Sequence, residues 1–173
     1  TEMKWKYLTV EQAAQDQHYI VELLKPIYQN KWVSTGISKG GQTTIIHRSL
    51  FPDDVEVSIP YVAPLNLEQE DKRVDKFLKT VGTNECRKKV IDFQRSILKN
   101  RIKALKIFAN KKEESNIEYL FSDSKILELA VLEFGFAFWQ WDGNCDNIPN
   151  VEESIEVKMN YLFKVDAPGF FTK

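Results

Sequence analysis

Histidine occurs only twice in the 173 residues, at His18 and His47, and cysteine only twice, at Cys86 and Cys145. None of them falls in a C-x-x-C pair or at Cys/His zinc-ligand spacing, so neither a metal nor another cofactor is expected. No stretch approaches the ~18 consecutive apolar residues of a membrane helix, so no membrane span is expected. Thr1-Glu2-Met3-Lys4 does not begin a signal peptide. The chain reads as beginning inside a domain, which leaves a targeting segment upstream compatible with it. Charge of one sign is lacking too. The 24 Lys and Arg stand against 25 Asp and Glu, and a net charge of −1 gives no general attraction to nucleic acid or an anionic membrane. No internal repeat or low-complexity tract is present. The two cysteines form either one disulfide in an oxidising compartment or two buried free thiols.

What is present is the composition of a folded chain, 43% hydrophobic and 28% charged, which excludes disorder as the default. Thr9-Val10-Glu11-Gln12 has the form of a capping box, and Ala13, Ile20, Leu24 and Ile27 follow at helical spacing, so a helix is expected from Thr9 toward Pro26. Lys31–Thr35 is short, β-branched and aromatic and reads as a strand. Gln42–Leu50 reads as a second helix, stopped by Pro52 and the Asp53-Asp54 turn. Val55, Val57, Ile59 and Val62 mark a second strand despite Pro60. Helix, strand, glycine turn, helix, strand is the order of a parallel sheet covered by helices.

From Asn66 onward the pattern turns helical. Asn84 is placed to cap a long helix with Val90, Ile97, Ile102, Leu105 and Phe108 on one face. Asp123 or Ser124 starts another, and Asn150 with Glu153 caps a last one carrying Ile155, Met159 and Leu162. Residues 87–112 hold ten Lys/Arg and one Asp, whereas residues 113–156 hold eleven Asp/Glu and one Lys. Strips of opposite sign in one small unit are expected to face each other as antiparallel helices, not to form a nucleic-acid patch.

Gly36-Ile37-Ser38-Lys39-Gly40 fits G-x-S-x-G, the nucleophile elbow, with an expected strand just before it and an expected helix just after. The serine of such an elbow sits on a strained turn, where side chains two residues to either side would collide, so glycine is expected at both 36 and 40. Ser38 is then the nucleophile, and the backbone N–H of Lys39 is one donor to the developing oxyanion. Gly41 lets the following helix approach the sheet closely.

The stretch "EQAAQDQHYIVELLKPIY…KWVSTGISKGGQTTIIHRSLFPDDVEVSIPYVAPLN", with "GISKGG", "PDDV" and "YVAP", resembles the elbow region of secreted bacterial tripeptidyl aminopeptidases. These are clan SC serine peptidases related to the prolyl carboxypeptidase and dipeptidyl-peptidase group. The likeness continues more loosely through "FGFAFWQWDG". It implies a partial α/β-hydrolase core over residues 1–66 and an inserted, mostly helical lid over 67–173. It also implies a peptide substrate, release of tripeptides from free N-termini, and a secreted or cell-envelope location.

The triad of that fold runs Ser, Asp/Glu, His along the chain. His47 follows Ser38 by nine residues on the helix that leaves the elbow, which suits a packing residue better than a base. His18 likewise reads as structural, and Asp53 and Asp54 have no histidine to orient. The resemblance implies that the acid and the base histidine lie beyond Lys173, so this chain alone is expected to be inactive and its unpaired sheet edges open to self-association. The cluster Phe134, Phe136, Phe138, Trp139 and Trp141 is either lid core or, at Phe136, Trp139 and Trp141, the wall of a substrate cleft. Glu133 and Asp142 beside it read as solvated acids. Other readings of the same residues are an α/β-hydrolase esterase or lipase, or a non-catalytic helical binding module that merely contains a glycine turn.

Overall fold

The computed structural model describes residues 4–165 and 167–172; the opening Thr1-Glu2-Met3 lies outside them. The chain divides into two compact units, Thr1–Asp71 and Lys72–Lys173. Among the described residues no helix is long and apolar enough to cross a membrane.

In the first unit α1 (Val10–Leu24), β1 (Val33–Ile37), α2 (Lys39–Leu50) and β2 (Val57–Tyr61) follow in order. Thr9 caps α1 by accepting the Gln12 N–H at 3.1 Å, while the Gln12 side chain turns forward to Asp16 (2.8 Å), so only half of the capping box forms. β1 and β2 are parallel, with Val33 opposite Val57 and Ile37 opposite Tyr61. The Ser34 and Ser58 hydroxyls meet across them at 2.9 Å. Expected to end before Gly36, β1 instead runs through Ile37, because glycine costs a strand only modestly and the ladder continues beneath it. Pro60 is accommodated opposite Gly36 in a strand whose other edge carries no partner among the described residues.

α2 packs against α1 and against both strands. The apolar core of this unit is small: Ala14, Val21 and Val55 are buried, and beside them lie the polar Thr44, His47 and Asp54. Asp54 is the pivot of that centre. Its carboxylate accepts from His18 Nδ1 of α1 at 2.8 and 2.9 Å, and from His47 Nε2 of α2 at 2.8 Å. His18 stacks flat on Phe51 with ring centroids 4.1 Å apart. The expectation that Asp54 has no histidine to orient therefore fails. It has two, and the helix packing brings His18 across 36 residues of sequence to reach it.

The second unit contains α3 (Lys72–Thr80), α4 (Asn84–Lys99), α5 (Arg101–Ser115), α6 (Asp123–Trp141) and α7 (Ile155–Lys164). α6 is its central helix, burying Ile126, Leu127, Ala130, Val131, Phe134, Ala137 and Phe138. Phe93 of α4 packs at a tilt against Phe134, ring centroids 4.3 Å apart, and meets Tyr161 of α7 edge-on at 5.8 Å. The single long helix expected from Asn84 is two. Asn100 ends α4 by donating its side-chain amide to Ser96 O (2.9 Å), its own backbone leaves the helical region at φ −104° and ψ 26°, and α5 starts beyond it with Ile102 on the surface. Thr83, not Asn84, caps α4, and Ser154 caps α7, while Asn150 and Glu153 close the turn before it.

The opposite charge strips meet as Arg101–Glu128 (2.9 Å) and Lys112–Asp123 (2.8 Å), an order that makes α5 antiparallel to α6, and Gln94 of α4 donates to Val131 O at 2.6 Å. Partly exposed pairs of this kind contribute about 0–1 kcal/mol each. The larger tie is a Cys86–Cys145 disulfide, Cα atoms 5.5 Å apart, which settles the choice between a disulfide and free thiols. By chain entropy a bridge across 59 residues stabilises by about 4 kcal/mol.

Burial alone would raise the Asp54 pKa, but the hydrogen bonds and charges of His18 and His47 outweigh it and hold the carboxyl below its unfolded value of 3.8. A lowered folded value means that the stabilisation is present above 3.8 and is lost as pH falls through the folded value. Asp54→Ala is accordingly expected to destabilise the first unit by about 2–3 kcal/mol near neutral pH, the scale of charged hydrogen bonds. Denaturant titrations of both proteins at descending pH should show the gap closing in the acid range; a gap independent of pH would contradict this account.

Candidate active site

The carboxyl end of β1 passes into α2 with one residue between them, Ser38. Its backbone sits at φ 55° and ψ −121°, a region that costs a residue with a Cβ about 1–3 kcal/mol. Two hydrogen bonds hold it there. The Ser38 N–H donates to Tyr61 O of β2 at 3.0 Å, extending the parallel ladder one step past Ile37, and the Ser38 carbonyl accepts the Gln42 N–H at 3.0 Å, the first bond of α2. Serine at a helix N-cap usually turns its hydroxyl onto the first-turn amides. Here Oγ makes no capping bond. The Lys39 N–H belongs to the first turn, whose amides the helix itself leaves unbonded, beside its positive dipole end.

The surrounding glycines divide by role. A Cβ on Gly36 would lie 2.3 Å from the backbone carbon and oxygen of Gly40, a collision that no rotamer relieves. At Gly41 it would lie 2.8 Å from Tyr61 O and 3.1 Å from the Ala63 Cβ, so this glycine is what allows α2 to lie so close to β2. Gly40 differs from expectation: a Cβ there would meet nothing within 4 Å. The steric demand is one-sided, because the helix at Gly40 presents backbone toward Gly36 while the direction of its own Cβ is open.

His47 lies nine residues along α2 from Ser38, roughly 13 Å at the helical rise, and its Nε2 is engaged by Asp54. It cannot serve Ser38 Oγ as a base. His18 shares the same carboxylate, which ties it to the far end of α2 as well.

In the second unit, Phe136 and Trp139 line a groove of about 440 Å³ together with Leu78 of α3, Arg87 and Val90 of α4 and Leu132 of α6. Trp141 is not among its lining residues and is 60% exposed, while Phe134 and Phe138 are fully buried in the core. The aromatic cluster thus supplies both core and groove. The α3 wall went unread in the sequence, although Val74, Phe77 and Leu78 stand there at helical spacing. Glu133 is half-buried, and desolvation pushes its carboxyl up. Asp142 is not a solvated acid: it accepts from Tyr161 Oη (2.9 Å), Asn147 (2.8 Å) and the Asn144 N–H (3.2 Å). Those bonds and the nearby Lys164 outweigh its desolvation and hold its pKa down, so it is committed to tying α6 to α7.

The two flanking glycines give an asymmetric expectation. Gly36→Ala should destroy the turn, with a loss of stability above about 3 kcal/mol, whereas Gly40→Ala should fold normally. Thermal unfolding of the pair checks this, and equal effects at the two positions would refute the geometry.

A family model described as PS-10 peptidase S37 matches residues 1–167. The prolyl tri/tetrapeptidyl aminopeptidase of Streptomyces mobaraensis is 33% identical over 171 residues, covering 96% of this chain and 35% of the relative. The chain therefore spans about a third of the length of the curated relative it matches. No solved structure matches it. A strained serine at a strand-to-helix turn and a family match over nearly the whole chain lead to one assignment: the chain belongs to the PS-10 peptidase S37 family.

Proposed function

We propose that Ser38 is the nucleophile of a serine exopeptidase that releases tripeptides from free N-termini. The observation that carries this reading is the backbone of Ser38, held at positive φ between β1 and α2 with its hydroxyl unused as a cap. The name of the relative supports N-terminal release of short peptides. In this reading Ser38 Oγ attacks the scissile carbonyl carbon, a base takes its proton, and the Lys39 N–H donates to the oxyanion of the tetrahedral intermediate. Collapse, with the base returning that proton to the leaving nitrogen, expels the shortened peptide as its amine. Water, giving its proton to the same base, then hydrolyses the acyl-enzyme and frees the tripeptide.

Both histidines of the chain are held by Asp54, so the base histidine and its carboxylate are proposed to come from another part of the polypeptide. Residues 1–66 then represent part of an α/β-hydrolase core, and the mostly helical residues 67–173 its lid, with Phe136 and Trp139 offering apolar surface to substrate. A disulfide between Cys86 and Cys145 favours an oxidising compartment and hence a secreted or envelope protein.

The test is labelling by a fluorophosphonate probe of this chain, of the polypeptide extended on both sides to the length of its relative, and of each with Ser38→Ala. Label on the extended protein alone, abolished by the alanine, is the expected result. A folded extended protein that takes no label, or keeps it without Ser38, removes the proposal; comparing peptide amides with acyl esters then separates peptidase from esterase action.

A further inference from the structure

A second residue of the first unit shares the strain of Ser38. Val62 has φ 43°, a left-handed backbone that a β-branched side chain rarely adopts. The register explains why the two outliers are neighbours. Ile37 pairs with Tyr61 in the parallel ladder, so Ser38 and Val62 are the next residues on the two strands, side by side at the carboxyl end of the sheet. That end is where open α/β sheets bind their ligands.

The chain on both sides of Val62 is pinned to the elbow. Tyr61 O accepts the Ser38 N–H at 3.0 Å, and the Ala63 Cβ stands 3.1 Å from where a Cβ of Gly41 would be. Between those two anchors Val62 must turn sharply, and the residue is 80% exposed. A glycine would make this turn without strain. The fold instead places an apolar side chain, at a cost, beside the serine.

We propose that Val62 is a specificity-determining residue of the Ser38 site. Its side chain walls the space for the residue whose carbonyl Ser38 attacks and favours an apolar side chain there. This rests on Ser38 being the nucleophile. The alternative, a strained turn with no contact to substrate, makes an opposite prediction for the variant that relieves the strain.

The experiment compares kcat/KM of the extended protein on three tripeptidyl p-nitroanilides whose last residue is Leu, Pro or Ser, for the wild type, Val62→Gly and Val62→Thr. Val62→Gly is expected to lower the Leu/Ser and Pro/Ser ratios roughly ten-fold, the scale of a lost apolar contact, without lowering Tm. Val62→Thr, which keeps the branched shape and adds a hydroxyl, should shift both ratios in the same direction by less. A wild type that hydrolyses these substrates, with ratios unchanged in both variants, overturns the role of Val62 and leaves the nucleophile standing. A wild type that hydrolyses none of them overturns the peptidase reading, and this inference with it.

Discussion

Everything in the first unit is arranged around one backbone conformation, that of Ser38. A strand and a helix joined through a single residue can meet only if that residue takes a dihedral combination that a side chain disfavours, and the cost of about 1–3 kcal/mol must be met by contacts nearby. Three are visible. The Tyr61 carbonyl takes the Ser38 amide, the missing Cβ of Gly36 makes room for the backbone of Gly40, and the missing Cβ of Gly41 lets α2 settle against the end of β2. The result is a hydroxyl at the carboxyl end of the sheet that the helix does not consume as a cap.

Holding that helix in place falls to few groups, because the unit has little apolar core of its own. Asp54 joins the far end of α2 to α1 through two histidines, and Val33, Ile37, Val57 and Tyr61 of the sheet remain substantially exposed. The helical unit is built the other way. A continuous cluster of aromatic and aliphatic side chains surrounds α6, a disulfide joins the first turn of α4 to the segment after α6, and the charged pairs lie at the margin. In one chain, then, the strained Ser38 turn stands on a unit that leans on hydrogen-bonded polar groups, while the larger hydrophobic core lies in the other unit.

Much of this was legible in the sequence, and the exceptions have a common cause. The elbow could be read because its constraint is local: Gly36, Ser38 and Gly40 fit G-x-S-x-G between an expected strand and an expected helix, although of those two glycines only Gly36 proves sterically required. The capped start of α1 and the strand, turn, helix, strand order behind the parallel pair were equally local. The Asp54 centre was not, since nothing in sequence spacing connects His18 with Asp54 until α1 packs on α2. The break at Asn100 was missed because apolar periodicity continues through it, while the side-chain bond to Ser96 that ends the helix leaves no mark on that pattern. Val62 escaped notice for a related reason. A valine in a strand-like run is ordinary in sequence, and only the anchoring of Tyr61 and Ala63 to the elbow forces it into strain.

The central claim is that the strained geometry of Ser38 exists to present Oγ to a carbonyl whose oxygen the Lys39 amide will hold. A crystal structure of the extended protein after reaction with a phosphonate tests it most directly. The account predicts a covalent bond from Ser38 Oγ to phosphorus and a phosphonyl oxygen about 2.7–3.1 Å from the Lys39 backbone nitrogen, with Ser38 still at positive φ. Phosphorus bonded to another residue, or a Ser38 relaxed to negative φ with its oxygen turned away from Lys39, would contradict it.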